Sequence, residues 1–153
     1  MTTVVCKLLN IVRPDRAYFG QKDAQQLVVV KRMAADLNMQ VEIVRVPIVR
    51  EPDGLAVSSR NAYLSPEERK DALVLRRALE RFRGRVLEGE RDPLKLIGEM
   101  GRMIDGVESA RIDYIVVVDP ETLDDIDPIE GRAMAALAVR VGSTRLIDNE
   151  VVG

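Results

Sequence analysis

The stretch RAYFGQKDAQQLVVVKRMAADLNMQVEIVRVPI, residues 16–48, decides the fold. Residues 16–19 read as a short strand ended by Gly20. Residues 22–37 read as a helix whose inner stripe is Leu27, Val30, Ala34 and Leu37, at helical spacing, with Asn38 suited to its end. Residues 41–48 are apolar enough for a strand covered on both faces. A strand, one helix and a second strand joined by short links make a βαβ unit, with parallel neighbours and a right-handed crossover. In such sheets the ligand crevice lies outside the carboxyl ends of the strands. The loop FGQKD follows the first strand, and REPDG leads from the second into AVSSR. A turn is expected at Pro52-Asp53-Gly54. Topology therefore sends both loops to one lip.

Outward from this unit, Thr2-Thr3 is expected to cap a helix with apolar positions Val4, Val5, Leu8, Leu9 and Val12, stopped by Pro14. Beyond Arg60 the pattern changes. Ser65, Pro66 and Glu68 form a capping-box signature for a helix running to about residue 88. Its seam is Ala72, Leu75, Leu79, Phe82 and Val86. Asp92-Pro93 opens another helix, closed by Gly106. Residues 112–118 read as a strand and 119–130 as an acidic loop. Residues 132–141 and 144–147 read as two strands, linked tightly enough at Gly142-Ser143 to be antiparallel. A boundary is placed near Leu64: residues 1–64 carry the end of a parallel α/β sheet, and residues 65–153 a small α+β lobe of two helices on an antiparallel sheet.

Composition excludes several classes. The chain has 153 residues, 46% hydrophobic and 31% charged, with a formal net charge of -2. That balance does not point to nucleic acid or an anionic membrane as partner. No apolar run approaches the ~20 residues a spanning helix needs, and no charged-then-apolar leader opens the chain. Cys6 is the single cysteine, so no internal disulfide forms and a cytoplasmic protein is expected. Its place on the apolar side of a helix favours packing over nucleophilic chemistry. Histidine is absent, so these residues supply no imidazole base or metal ligand. The acidic run DPETLDDIDPIE lacks calcium-loop spacing and reads as a connection. The arginines of RRALERFRGR, interleaved with the glutamates of a long helix such as Glu80, read as a solvated helix face.

Two segments carry candidate chemistry. Lys22 stands at the expected helix start, where free N–H groups and the dipole favour an anion. Gln26 follows four residues later, on the same face of a helix. The pair suits a phosphate beside a polar organic acid, or it is a solvated lysine and a surface glutamine. Asp23 is either a helix cap or an orienting group for Lys22 or a metal-bound phosphate. In the second segment Arg60 offers a fork of donors to phosphate, with Ser58 and Ser59 adding hydroxyl and backbone donors. Alone, Ser-Ser-Arg is a weak signal. On one lip with Lys22 it gains weight, because two converging cations repel unless an anion lies between them. Tyr63 suits either packing over a ligand or a place at the lobe junction.

The segments KLLNIVRPDRAYFGQKDAQQL and VPIVREPDGLAVSSRNAYLSPEER, with the closing TRLIDN, closely resemble the second half of the pantoate–β-alanine ligase family. The resemblance covers nearly the whole chain. It implies the C-terminal part of a Rossmann-like nucleotidyl-transferase domain followed by a small α+β lobe. It implies ATP-dependent joining of pantoate and β-alanine through pantoyl adenylate, with Mg2+ and release of pyrophosphate and AMP. By resemblance Gly20, Gln21, Lys22, Asp23, Val49, Val57, Ser58, Ser59 and Arg60 bind ATP. Lys22, Ser58, Ser59 and Arg60 assist catalysis, and Gln26 binds pantoate. The family often has Met or Leu at Val57. It is typically dimeric, and its His-x-Gly-His type motif belongs to a first half that has no counterpart in these residues. Inactivity of this chain by itself is the expectation. A non-catalytic nucleotide-binding or assembly module is the alternative.

Overall fold

The computed structural model describes residues 1–153. By its contacts the chain divides into two compact units, Met1–Ile48 and Val49–Gly153. The division falls upstream of the boundary placed near Leu64, because residues 49–64 are tied to the second unit by Leu55 in its core and by ion pairs described below.

The first unit contains α1 (Thr2–Val12), β1 (Arg16–Gly20), α2 (Ala24–Asp36) and β2 (Glu42–Val46). β1 and β2 pair in parallel, from Arg16 beside Glu42 to Gly20 beside Val46. The βαβ expectation holds. β1 runs one residue past the expected end at Phe19, and β2 is shorter than the expected 41–48, since Pro47 has no N–H to offer a ladder. Alternation puts Ala17, Phe19 and Ile43 on one face and Tyr18, Val44 and Val46 on the other. A groove lined by Lys31, Ala34, Met39, Val41 and Ile43 places α2 beside Ile43 on the first of these faces. The second is not covered on both sides as expected: Tyr18 is 64% exposed. Within α2, Ala24, Leu27, Val30 and Ala34 are buried, whereas Leu37 is the exposed C-cap residue. Asn38 adopts φ 51, the left-handed conformation that asparagine tolerates at a helix end.

Helix α1 forms where its periodicity indicates, but its cap differs. Met1 is the N-cap and no side chain caps the helix, so Thr2 and Thr3 lie inside its first turn. Arg13 closes it in the left-handed conformation, donating its N–H to the Leu9 carbonyl at 2.9 Å. Of the apolar stripe only Leu9 is buried; Val4, Leu8 and Val12 are exposed. Cys6 is half-buried.

The second unit holds α3 (Pro66–Leu87), α4 (Pro93–Asp105), β3 (Ala110–Val118), β4 (Ala133–Val141) and β5 (Thr144–Val152). The strands form an antiparallel sheet in the order β3-β4-β5. Ser65 and Glu68 make both hydrogen bonds of the capping box, at 3.1 and 2.8 Å. The seam residues Ala72, Leu75, Leu79, Phe82 and Val86 are all buried, packed with Leu96, Met100 and Ile104 of α4 over Leu137 and Val139 of the sheet. Gly142 takes φ 56 at the β4–β5 turn, a conformation that favours glycine. β5 continues five residues past the expected end at Ile147. The arginines of α3 do more than face solvent. Arg76 pairs with Glu150 of β5 at 2.9 Å, and Arg81 and Arg85 pair with Glu99 of α4. No helix is long and apolar enough to cross a membrane.

The α3–α4 connection gives a pH-dependent prediction. Lys95, then the backbone N–H groups of Asp92 and Arg91, hold the Glu90 carboxyl down at about 2, against an ordinary 4.5. A carboxyl whose pKa is lower in the folded state contributes stability above its unfolded pKa. That contribution fades as pH falls from about 4.5 to about 2. Carboxyl-carbon NMR titration is expected to find the Glu90 midpoint near the lower value, and Lys95→Met is expected to raise it. An ordinary midpoint in the unsubstituted chain would refute the arrangement.

Candidate functional site

In the first unit the candidate residues sit where β1 gives way to α2. β1 and β2 end side by side, and the Gln21 N–H extends the ladder by donating to the Val46 carbonyl at 2.8 Å. Gly20 closes the strand, and a Cβ there would meet nothing within 4 Å. The glycine leaves open space at the strand tip. Asp23 is the N-cap of α2, its Oδ1 accepting from the Gln26 N–H at 3.1 Å. The cap reading of Asp23 is therefore realised.

This moves the helix start to Ala24. Lys22 lies in the turn ahead of the cap, not in the first helical turn. The four-residue spacing to Gln26 is thus not an i,i+4 pair on one helix face. The physical reason is that an aspartate side chain satisfies an orphan helix N–H best from just outside the helix. Lys22 and Gln26 are both half-buried. The unused N–H groups of the first turn still favour an anion beside the helix end.

The other candidates belong to the second unit, on a loop folded back on itself. The Val57 N–H donates to the Val49 carbonyl at 2.9 Å, which brings together the two valines expected to meet nucleotide; both are exposed. Arg50 and Ala56 form an antiparallel bridge inside them. The expected turn at Pro52-Asp53-Gly54 is present, closed by the Gly54 N–H on the Glu51 carbonyl at 2.8 Å, with φ 93 at Gly54. Ser58 then caps a 3-10 helix, Ser59–Tyr63, its Oγ accepting from the Arg60 N–H at 3.2 Å. Ser59, Arg60 and Tyr63 are exposed.

Three anchors hold this loop, and the sequence reading named none of them. Arg50 forks onto the Asp148 carboxylate of β5 at 2.7 and 3.1 Å and also donates to the Gly54 carbonyl at 3.2 Å. Arg69 of α3 meets Glu51 and Asp53, each at 2.7 Å. Asn61, 9% exposed, donates from Nδ2 to Glu51 at 2.8 Å and to the Ala56 carbonyl at 3.2 Å. Hydrogen bonds from Arg69 and then Asn61 hold the Glu51 carboxyl below its ordinary range. The Leu55 backbone N–H, against partial burial and with Arg69, does the same for Asp53. These acids stay ionised and keep the loop clamped.

Arg60 stands apart from this clamp. Arg50, Arg69, Arg76 and Arg85 all pair with carboxylates, whereas Arg60 makes no ion pair. A rigid loop presenting two serines and an unneutralised guanidinium is chemically suited to phosphate oxygens. No group of three or more acidic, His or Cys side chains is arranged to hold a metal.

With this geometry in view, the family description Pantoate-beta-alanine ligase matches residues 1–151. The chain belongs to the pantoate-β-alanine ligase family. It is 55% identical over 152 residues to the pantothenate synthetase of Acetivibrio thermocellus, covering 99% of this chain and 54% of that protein. For the pantothenate synthetase of Heliobacterium modesticaldum the identity is 57%, with the same coverage. Among solved structures, the pantothenate synthetase of Thermus thermophilus superposes with a TM-score of 0.92 at 47% identity, over 97% of this chain and 54% of that one. The Francisella tularensis pantoate-beta-alanine ligase, solved with Beta-gamma ATP and β-alanine, gives a TM-score of 0.62 at 28% identity, over 99% and 50%. The chain spans about half the length of these pantoate-β-alanine ligase relatives. The likeness extends to the sheet with its helices and to the separate antiparallel lobe.

Proposed function

We propose that this chain carries the ATP-gripping part of a ligase that joins pantoate to β-alanine. Family membership supports the reaction, and the observation that carries the site is the unpaired Arg60 beside Ser58 and Ser59 on a clamped loop. In the proposed reaction pantoate's carboxylate attacks the α-phosphorus of ATP, and pyrophosphate leaves. The amine of β-alanine then attacks the acyl carbon of pantoyl adenylate, loses a proton and expels AMP. Gly20, Gln21, Lys22 and Asp23 of the first unit, and Val49, Val57, Ser58, Ser59 and Arg60 of the second, are the proposed ATP-binding residues. Gln26 is proposed to bind pantoate.

Chemistry at phosphorus asks mainly for positioning and for charge on the phosphoryl oxygens to be met. Lys22 and Arg60 supply fixed positive charge, and Ser58 and Ser59 supply hydrogen bonds. Mg2+ enters as part of the ATP–Mg substrate, since such ions are held largely by phosphate oxygens and water. In the whole family enzyme the working form is proposed to be a cytoplasmic homodimer acting in pantothenate biosynthesis.

Calorimetry with ATP–Mg tests the grip apart from turnover. The unsubstituted chain is expected to bind, and Lys22→Ala or Arg60→Ala to weaken binding by about 10- to 100-fold, the value of a charge-assisted hydrogen bond. Binding insensitive to both substitutions would overturn the assigned roles. Absence of any binding would favour the second reading, a folded assembly module without nucleotide affinity of its own.

A further inference from the structure

Asn61 is the one buried residue of the 3-10 helix that carries Ser59 and Arg60, and it follows Arg60 directly in the chain. Its Nδ2 uses both protons across the folded-back loop, one on the Glu51 carboxylate at 2.8 Å and one on the Ala56 carbonyl at 3.2 Å. Glu51 and Ala56 lie on opposite arms of the turn at Pro52-Asp53-Gly54, so one amide ties the helix to both arms. Arg50 and Arg69 also hold the arms, but their partners are Asp148, the Gly54 carbonyl, Glu51 and Asp53, none of them in the helix. Two acceptors facing the nitrogen fix the orientation of the amide, because the reverse would set Oδ1 against two oxygens. Oδ1 is consequently buried with no hydrogen-bond partner. An unpaired buried oxygen costs the fold stability. A leucine would fill a similar volume and leave nothing unpaired. What asparagine adds at this position is the two-pronged donor.

We propose that Asn61 is a positioning residue: its Nδ2 fork sets where Arg60 stands, and through Arg60 the hold on the phosphate oxygens of the nucleotide. The inference rests on the nucleotide site proposed above. The link between the two residues is a single tight turn. The Arg60 N–H donates to Ser58 Oγ at 3.2 Å and the Asn61 N–H to the Ser58 carbonyl at 3.1 Å, so Ser58, Arg60 and Asn61 shift together. Arg60 is exposed, and its place follows from the turn that carries it rather than from packing around its side chain. A binding group must be held within about 0.5 Å of its productive position. The Asn61 fork supplies that restraint from the buried side of the helix.

The test is a double-mutant cycle on the whole chain, with ATP–Mg affinity measured by calorimetry. Asn61→Leu is expected to weaken binding about tenfold, with the melting temperature within a few degrees of the unsubstituted chain. In an Arg60→Ala background the same substitution is expected to change affinity by less than about twofold, because the group it positions is already gone. Equal losses in both backgrounds would show a general loosening of the unit and overturn the proposal, as would full affinity in the single variant. Should leucine unfold the unit, Asn61→Ser, which keeps one donor, is put through the same cycle and judged by the same outcomes. Amide exchange in the ligand-free chain gives a readout that needs no nucleotide. Exchange at Arg60 is expected to quicken at least about tenfold in Asn61→Leu, with the amides of α3 unchanged. If the unsubstituted chain binds no ATP, the nucleotide reading fails by itself and the exchange decides the positioning role: an Arg60 amide that exchanges as slowly as before refutes it.

Discussion

Supplied with pantoate, β-alanine, ATP and Mg2+, the purified chain alone is expected to release AMP at least about 10³-fold more slowly than when combined with the remainder of a family enzyme. Loss of a single preorganised donor to a developing negative charge costs roughly 10²–10³ in rate. Here more than one group is at stake. The 153 residues contain no histidine, while the family resemblance places a His-x-Gly-His type motif in the family's first half. Positioning suffers as well, because holding two reactants in line contributes as much as ~7–11 kcal/mol in well-oriented systems. The contribution proposed for Lys22, Gln26 and the Ser58–Arg60 segment is to grip substrate and meet its negative charge. The assay measures AMP and pantothenate for the chain, the companion polypeptide and the mixture, with Arg60→Ala in the mixture as a fourth arm. Full-rate turnover by the chain alone would refute the expected difference in rate. A rate in the mixture that Arg60→Ala leaves unchanged would remove the role assigned to the guanidinium.

The parts of this site that could be read in advance are those written in adjacent residues. The βαβ unit was legible because two apolar runs flank one helical period with short links. The α3 seam and its capping box were legible because Ser65 and Glu68 lie three residues apart and bond to each other. Residues acting across the fold were not. The clamp joins Glu51, Asn61 and Arg69, which pattern and spacing do not relate. β5 was cut short because Asp148 and Asn149 look like turn residues, yet both are buried inside the strand. The Asp148 carboxylate meets Arg50, 98 positions away in sequence. Helix α1 shows a different limit. Its stripe correctly signals a helix, but periodicity does not say whether or by what the stripe is covered, and in this chain most of it is exposed. Lys22 was placed two residues too deep because Asp23 takes the cap. Lys22 and Arg60 are candidates from helix position and charge, and the family resemblance adds weight to both. They belong to different units of the chain, and the calorimetric comparison of their alanine variants asks whether each contributes to one bound triphosphate.

Asp148→Ala is expected to destabilise the second unit by about 3–5 kcal/mol, the usual cost of removing one partner from a buried ion pair. Asp148 is 3% exposed and Arg50 19%, so the guanidinium left behind has little water to replace the carboxylate. The same carboxylate accepts the Asn149 N–H at 2.9 Å, which would also lose its partner. Thermal unfolding should fall by on the order of 10 °C, with the denaturant midpoint reduced at unchanged slope. Removing both charges separates the penalty of an orphaned ion from the worth of the pair. Arg50→Met with Asp148→Leu is expected to recover most of the loss, since apolar residues of similar volume commonly replace a buried pair at little cost. The double variant loses something else. Arg50 also holds the Gly54 carbonyl at 3.2 Å, and it lies between Val49 and the Ser58–Arg60 segment on the folded-back loop. With the fork gone, amide exchange at Val57 and Arg60 should quicken even where global stability is restored, because the loop then depends on Arg69 and Asn61 alone. Two results would refute this account. One is a melting temperature for Asp148→Ala within a degree or two of the unsubstituted chain. The other is a stable double variant whose loop amides exchange as slowly as before, which would mean that the ion pair sustains the fold without ordering the candidate site.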